Sequence, residues 1–162
     1  MIKETVLCYI KNKIDKDKYL FIYRNKKIND YNYGKYLGVG GHIEKDETRD
    51  QAVIREIKEE TNFDVSTSDL SYLGKIIFKN KINDNLYEEI MYLYKCDNYN
   101  GILSSCDEGT FYWVNKADIF DLNLWEGDKC FLKYVINEND IKPFEMILNY
   151  VNDEFINQEI IK

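Results

Sequence analysis

The stretch from Gly40 to Phe63, GGHIEKDETRDQAVIREIKEETNF, constrains this chain more than any other. It closes on Arg55-Glu56-Ile57-Lys58-Glu59-Glu60, so Glu59 and Glu60 stand three and four residues beyond Glu56. On a helix, residues at those spacings share one face. Like charges stacked there destabilise a bare helix. A chain that stacks them anyway points to a cation that neutralises them, and ligands that are all oxygen suit Mg²⁺ or Mn²⁺ rather than Zn²⁺. The helix itself is expected to start after Thr48, a good N-cap, with Asp50 and Gln51 in its first turn. It should run to about Thr61, with Ala52, Val53, Ile54 and Ile57 on its buried side.

At 162 residues the chain is expected to form one domain over 1–162, large enough to bury a core. It carries 22 basic and 29 acidic residues, a net charge of −7. An acidic chain is a poor partner for long nucleic acids, which want a basic face. A small anionic substrate bridged by metal ions remains compatible with it. Cys8, Cys96, Cys106 and Cys130 form no C-x-x-C pair and read as reduced thiols of a cytoplasmic protein. The opening MIKETVLCYIKNK has no apolar run long enough for a signal peptide or a membrane span. Fourteen tyrosines could supply a dimer surface or only core, which leaves monomer and homodimer both open.

Strands are expected over 4–10, 18–24, 36–41, 70–79, 87–96 and 110–114. The polar run 25–35 reads as a loop, and Asn83-Asp84-Asn85 as a turn. A second helix is expected over 128–137, and a final hairpin of 144–151 and 155–161 around Asn152-Asp153. The absence of a repeating βαβ rhythm predicts an α/β fold with a mixed sheet packed between helices.

The motif residues resemble the Nudix box, G-x5-E-x7-R-E-U-x-E-E-x-G-U, through Gly41, Glu47, Arg55, Glu56, Ile57, Glu59, Glu60 and Phe63. The departure is Asn62, where the family has glycine. That position ends the helix and wants a left-handed backbone, which Asn tolerates next best. The resemblance implies the family's α/β/α sandwich and hydrolysis of a phosphoanhydride. It implies that Glu56, Glu59 and Glu60 hold the divalent metal with the carbonyl of Gly40, Glu60 being the central ligand. Glu56 serves as a ligand, as the group that orients water, or as both. Glu47 and Arg55 are expected to form a structural ion pair, with Gly41 shaping the loop.

Outside the box, Glu108 sits where related enzymes place a metal-binding or base glutamate. It reads equally as a surface turn acid, with Asp107 as the backup. Arg24 resembles the family's phosphate-contacting basic residue, and His42 follows the twin glycines where some relatives carry Lys or His near the phosphates. Both also read as ordinary surface residues. The proline of ADP-ribose-type relatives and the tyrosine of dinucleoside-polyphosphate relatives are missing at their usual distance beyond the box. Leu124-Trp125-Glu126-Gly127-Asp128 resembles the W-x-x-D segment of the oxidised-purine nucleoside triphosphatases. There Trp125 would face the base and Asp128 would bond its edge. The alternative is a core Trp125 and an N-capping Asp128. Leu37 and Gly127 replace an amide and a second acid of some such enzymes, which lowers the expected preference for an 8-oxo base.

The implied activity is therefore metal-dependent hydrolysis of a purine nucleoside triphosphate such as 8-oxo-dGTP to monophosphate and pyrophosphate. A nucleotide sugar or a capped RNA end is the alternative substrate. A non-catalytic nucleotide-binding regulator is the alternative class, and such domains typically lose box carboxylates that are all present here.

Overall fold

Five consecutive residues of the first strand, Val6 to Ile10, are buried, a pattern that fits only a strand covered on both faces. The computed structural model describes residues 2–137, 139 and 142–161. In it β1 (Lys3–Ile10) lies in a six-stranded sheet of order β4-β1-β6-β5-β8-β9. The other members are β4 (Val39–His42), β5 (Leu70–Ile82), β6 (Asn85–Cys96), β8 (Phe144–Val151) and β9 (Glu154–Ile160). β1 runs parallel to β6 and β5 parallel to β8, while the remaining neighbours are antiparallel. The sheet is thus mixed, as expected.

Val6, Cys8 and Ile10 belong to the core under α1 (Arg49–Thr61), with Val39, Ala52, Val53 and Ile57. Leu7 and Tyr9 point the other way, into the core under α2 (Asp128–Val135) with Phe131, Leu132, Leu93 and Met146. A helix on each face of the sheet makes the α/β/α sandwich. A small antiparallel sheet adds β2 (Lys18–Tyr23) between β3 (Tyr36–Leu37) and β7 (Thr110–Asn115).

The expected strand 36–41 is two strands in two sheets. Tyr36 and Leu37 pair with β2, whereas Val39 to His42 pair with β1. Gly38 sits at the switch, where a Cβ would lie 2.7 Å from the Cys8 carbonyl oxygen. The expected three-residue turn 83–85 holds only two residues. Asn83 and Asp84 have φ of 49° and 68°, and Asn85 already pairs with Ile82. Asn152 and Asp153 repeat the device with φ of 48° and 66°. Left-handed pairs of this kind match the twist of hairpin strands, and Asn and Asp adopt them readily. The last strand starts at Glu154 rather than Phe155, and the second helix stops at Val135 rather than Asn137.

α1 begins as its sequence predicts. The Gln51 amide donates to Thr48 Oγ1, and the Thr48 amide donates to the Gln51 side chain, a reciprocal capping box. Ile54 is only half-buried, so the buried stripe is narrower than expected. The helix ends at Asn62, at φ 70°, whose amide donates to the Lys58 carbonyl. No helix among the described residues is long and apolar enough to cross a membrane.

Candidate active site

β4 delivers the twin glycines to α1 beside Glu56 and Glu60. The Gly40 amide donates to Glu60 Oε2 at 3.1 Å. At Gly40 a Cβ would lie 1.9 Å from the Val6 carbonyl oxygen, so only glycine fits there, and at Gly41 a Cβ would press on the Glu56 carboxylate.

Arg55 organises most of the acids. Its Nε and Nη2 donate to the two Glu47 oxygens at 2.7 and 3.0 Å. Its Nη1 donates to Glu56 at 2.9 Å and to Glu59 at 3.2 Å, and Nη2 also reaches the His42 carbonyl. This bidentate pair ties the loop to the helix and is the strong form of an ion pair. The Glu47 carboxyl is held below its ordinary range, chiefly by the hydrogen bond from Arg55. Part of the cation that the crowded glutamates demand is therefore internal.

The three box acids do not share one environment. Glu59 is solvent-facing, with its side chain 58% exposed. Glu56 is largely covered, and burial raises its carboxyl despite Arg55, with Glu59 and Glu108 adding to the rise. Glu60 is buried and accepts from the Gly40 amide. Its carboxyl is pushed far above the carboxylate range, first by burial, then by a hydrogen bond with Glu108 and the negative charge there.

Glu108 thus comes to Glu60 from the loop before β7, while Asp107 beside it is exposed. Glu108 also lies 3.8 Å from Arg24 Nη1, and Arg24 Nε lies 2.7 Å from Asp30. His42 is exposed at the end of β4 and contributes its backbone carbonyl to Arg55.

A second cluster, around Trp125, is aromatic. Tyr31 stacks on Trp125 with ring centroids 5.2 Å apart and planes 16° from parallel. The Trp125 indole N–H donates to Asn32 Oδ1 at 2.9 Å, and the Lys35 ammonium sits 4.8 Å from the ring centroid. Tyr150 meets Trp125 edge-on, and its hydroxyl accepts from the Gly127 amide. Asp128 is not an N-cap. Gly127 holds that position without a side-chain bond, and Asp128 is the first helical residue, 4% exposed. Burial pushes its carboxyl up to about 7, with the Lys35 charge partly offsetting this. The core alternative for Trp125 holds in part, since one side of the ring packs on the α2 core.

Residues 1–135 match the model of the NUDIX domain. The chain belongs to this family. It is 32% identical over 95 residues to an oxidized purine nucleoside triphosphate hydrolase of Danio rerio, covering 59% of this chain and 58% of that protein. It is 30% identical over 105 residues to the uncharacterized Nudix hydrolase YvcI of Bacillus subtilis (strain 168), covering 64% and 65%. The chain thus spans less than two thirds of either relative. Its fold is that of a mutator MutT protein from Bacillus halodurans, with a TM-score of 0.82 at 22% identity over 98% of this chain and 97% of that one.

In this Nudix chain the acid patch fits a hard divalent cation by its chemistry. Among the described residues no three ligating side chains already converge on one point. Yet Glu108 comes close enough to Glu60 to raise its carboxyl, and the charge of Glu56 adds to the rise. Carboxylates forced to hold a proton between them are a donor set that a cation relieves.

Asp30, Tyr31, Asn32, Lys35 and Tyr150 escaped the sequence analysis as site residues. Tyr31-Asn32-Tyr33 inside a polar loop was the only signal. Nothing in its spacing tells which distant ring it meets.

Proposed function

We propose that this Nudix chain is a Mg²⁺- or Mn²⁺-dependent pyrophosphohydrolase of purine nucleoside triphosphates, oxidised dGTP among them. It releases the monophosphate and pyrophosphate, and acts as one domain on the cytoplasmic nucleotide pool. The observation that carries this reading is Asp128. It is a buried acid next to Trp125 with its carboxyl raised to about 7. Such a group either accepts from or donates to a base edge near neutral pH. The likeness to the purine nucleoside triphosphate hydrolase of Danio rerio points the same way.

Glu56, Glu60 and Glu108 would hold the cation, with the Gly40 carbonyl beside them and Glu59 at the solvent rim. When bound, the metal neutralises charge growing on the anhydride oxygens and makes water a better nucleophile. Glu56 or Glu108 takes the proton of the attacking water, both being acids beside Glu60. Arg24 meets the phosphates, with His42 at the mouth. Trp125 supplies a flat face to the purine, and Asp128 its polar edge contact. With Leu37 and Gly127 apolar, discrimination between oxidised and ordinary purines is modest.

The experiment is release of pyrophosphate and monophosphate with Mg²⁺ from dGTP, 8-oxo-dGTP, the other nucleoside triphosphates, ADP-ribose and a dinucleoside polyphosphate. A lead for purine triphosphates supports both halves of the site. A lead for ADP-ribose or the dinucleoside polyphosphate keeps the acid patch and removes the triphosphate reading. No turnover of any of them removes the enzymatic reading.

A further inference from the structure

We infer that Asp30 is a positioning residue that couples the base pocket to the phosphate end of the site. The inference rests on the triphosphate reading above. Asp30 is nearly covered, its side chain 9% exposed. One carboxylate oxygen lies 2.7 Å from Arg24 Nε, and the other accepts the Asn32 backbone amide at 3.0 Å. The Asn32 side chain in turn accepts the Trp125 indole N–H at 2.9 Å. Beyond Arg24, its Nη1 stands 3.8 Å from Glu108, whose proximity and charge raise the Glu60 carboxyl. Two ion pairs and two hydrogen bonds therefore lead from Glu108 to the aromatic ring, and Asp30 is the middle link.

The geometry makes the coupling hard to avoid. Asp30, Tyr31 and Asn32 are consecutive, so one short piece of backbone carries the Arg24 contact, the stack on Trp125 and the bond to its indole. Aspartate has a short side chain with few torsions, so a displaced carboxylate must move the backbone that follows. Substrate phosphates are anions that compete with Asp30 for the same guanidinium. When Arg24 turns to a phosphate, Asp30 loses a partner and its grip on Asn32 changes. Conversely, a base that displaces Tyr31 from Trp125 shifts Asp30 and with it Arg24 beside Glu108. By thermodynamic reciprocity each event alters the other.

The relay is read with Trp125 as its reporter. The other tryptophan, Trp113 in β7, is first replaced (Trp113→Phe). Inorganic tripolyphosphate, which has no base to touch the ring, is then titrated into this parent without metal, following binding heat and Trp emission together. The expected result is that emission changes with the same midpoint as the heat. With Asp30→Asn, binding heat persists while the emission response drops about fivefold or more. Asn32→Ala, which cuts the next link, gives the same loss and serves if Asp30→Asn fails to fold. With dGTP and Mg²⁺, Asp30→Asn lowers kcat about tenfold with KM within about threefold, because the link to Glu108 is lost and the base contacts remain. Heat without an emission change in the parent, or a full emission response in the folded variants, overturns the relay. Absence of heat in the parent also overturns the relay, because phosphate alone then does not reach Arg24, while turnover of dGTP with Mg²⁺ decides the triphosphate reading separately.

Discussion

The acid patch and the aromatic pocket are built over very different distances along the chain. At the patch, Arg55 reaches Glu47 eight residues away, Glu56 one away and Glu59 four away, and Glu60 reaches Gly40 twenty away. At the pocket, Trp125 bonds Asn32 across 93 residues, and the Tyr31 hydroxyl donates to Asp153 across 122. The first region is a helix face folded against its own leading loop. The second exists only once the loop after β2, the segment before α2 and the β8–β9 turn have met. A motif can carry the first because helical spacing does the placing. It cannot carry the second, where sheet topology does.

Four measurements press on this contrast. The largest effect belongs to the patch. Glu60→Gln should lower kcat about a thousandfold or more. Its melting temperature should stay the same or rise, because a costly buried acid is gone. Retained activity in the folded variant would break the assignment of Glu60 as the central ligand. Next comes Asp128 in the pocket. Its folded carboxyl titrates at about 7, above its ordinary value, because of burial. The folded chain therefore binds that proton more tightly than the unfolded chain. Its stability should fall as pH climbs from about 4 to about 7 and level off above, by roughly 4 kcal/mol at most. Urea unfolding across this range should show a flatter profile for Asp128→Asn; equal slopes would contradict the buried-acid account.

Trp125→Ala should raise KM for a purine triphosphate about 10- to 100-fold, with kcat within about threefold, as loss of a base-stacking face requires. An unchanged KM would return Trp125 to the core alone. The smallest effect lies at the end of α1. Asn62→Ala should cost about 1 kcal/mol at its left-handed backbone, and Asn62→Gly should gain a few tenths. Thermal melts resolve the two, and kcat should not change for either.

The fold was legible where local signals were complete. The Thr48 capping box, the left-handed Asn62 and the two Asn-Asp hairpin turns all announce themselves in a few residues. What escaped was pairing. Tyr36 to His42 read as one strand, and nothing local says that Gly38 hands the chain from one sheet to another. Asp128 read as a base-edge acid, with a helix cap as its alternative. Only the docking of the α2 N-terminus on the sheet puts its carboxyl in the interior. Glu108 could be named from its loop, but its approach to the buried Glu60 could not.

By itself the sequence determined the acidic helix, its caps, the loop that meets it and the Glu47–Arg55 clasp. Each depends on residues a few turns apart, and covalent geometry holds such residues together whatever the rest of the chain does. Only the tertiary structure decided that Asp30, Tyr31 and Asn32 join Arg24 to Trp125, that Asp128 is buried, and that Glu59 faces solvent while Glu60 does not. These are consequences of which strands pair and which helix face is covered. They follow from burial and contact between segments far apart in the chain, which no short window of residues encodes.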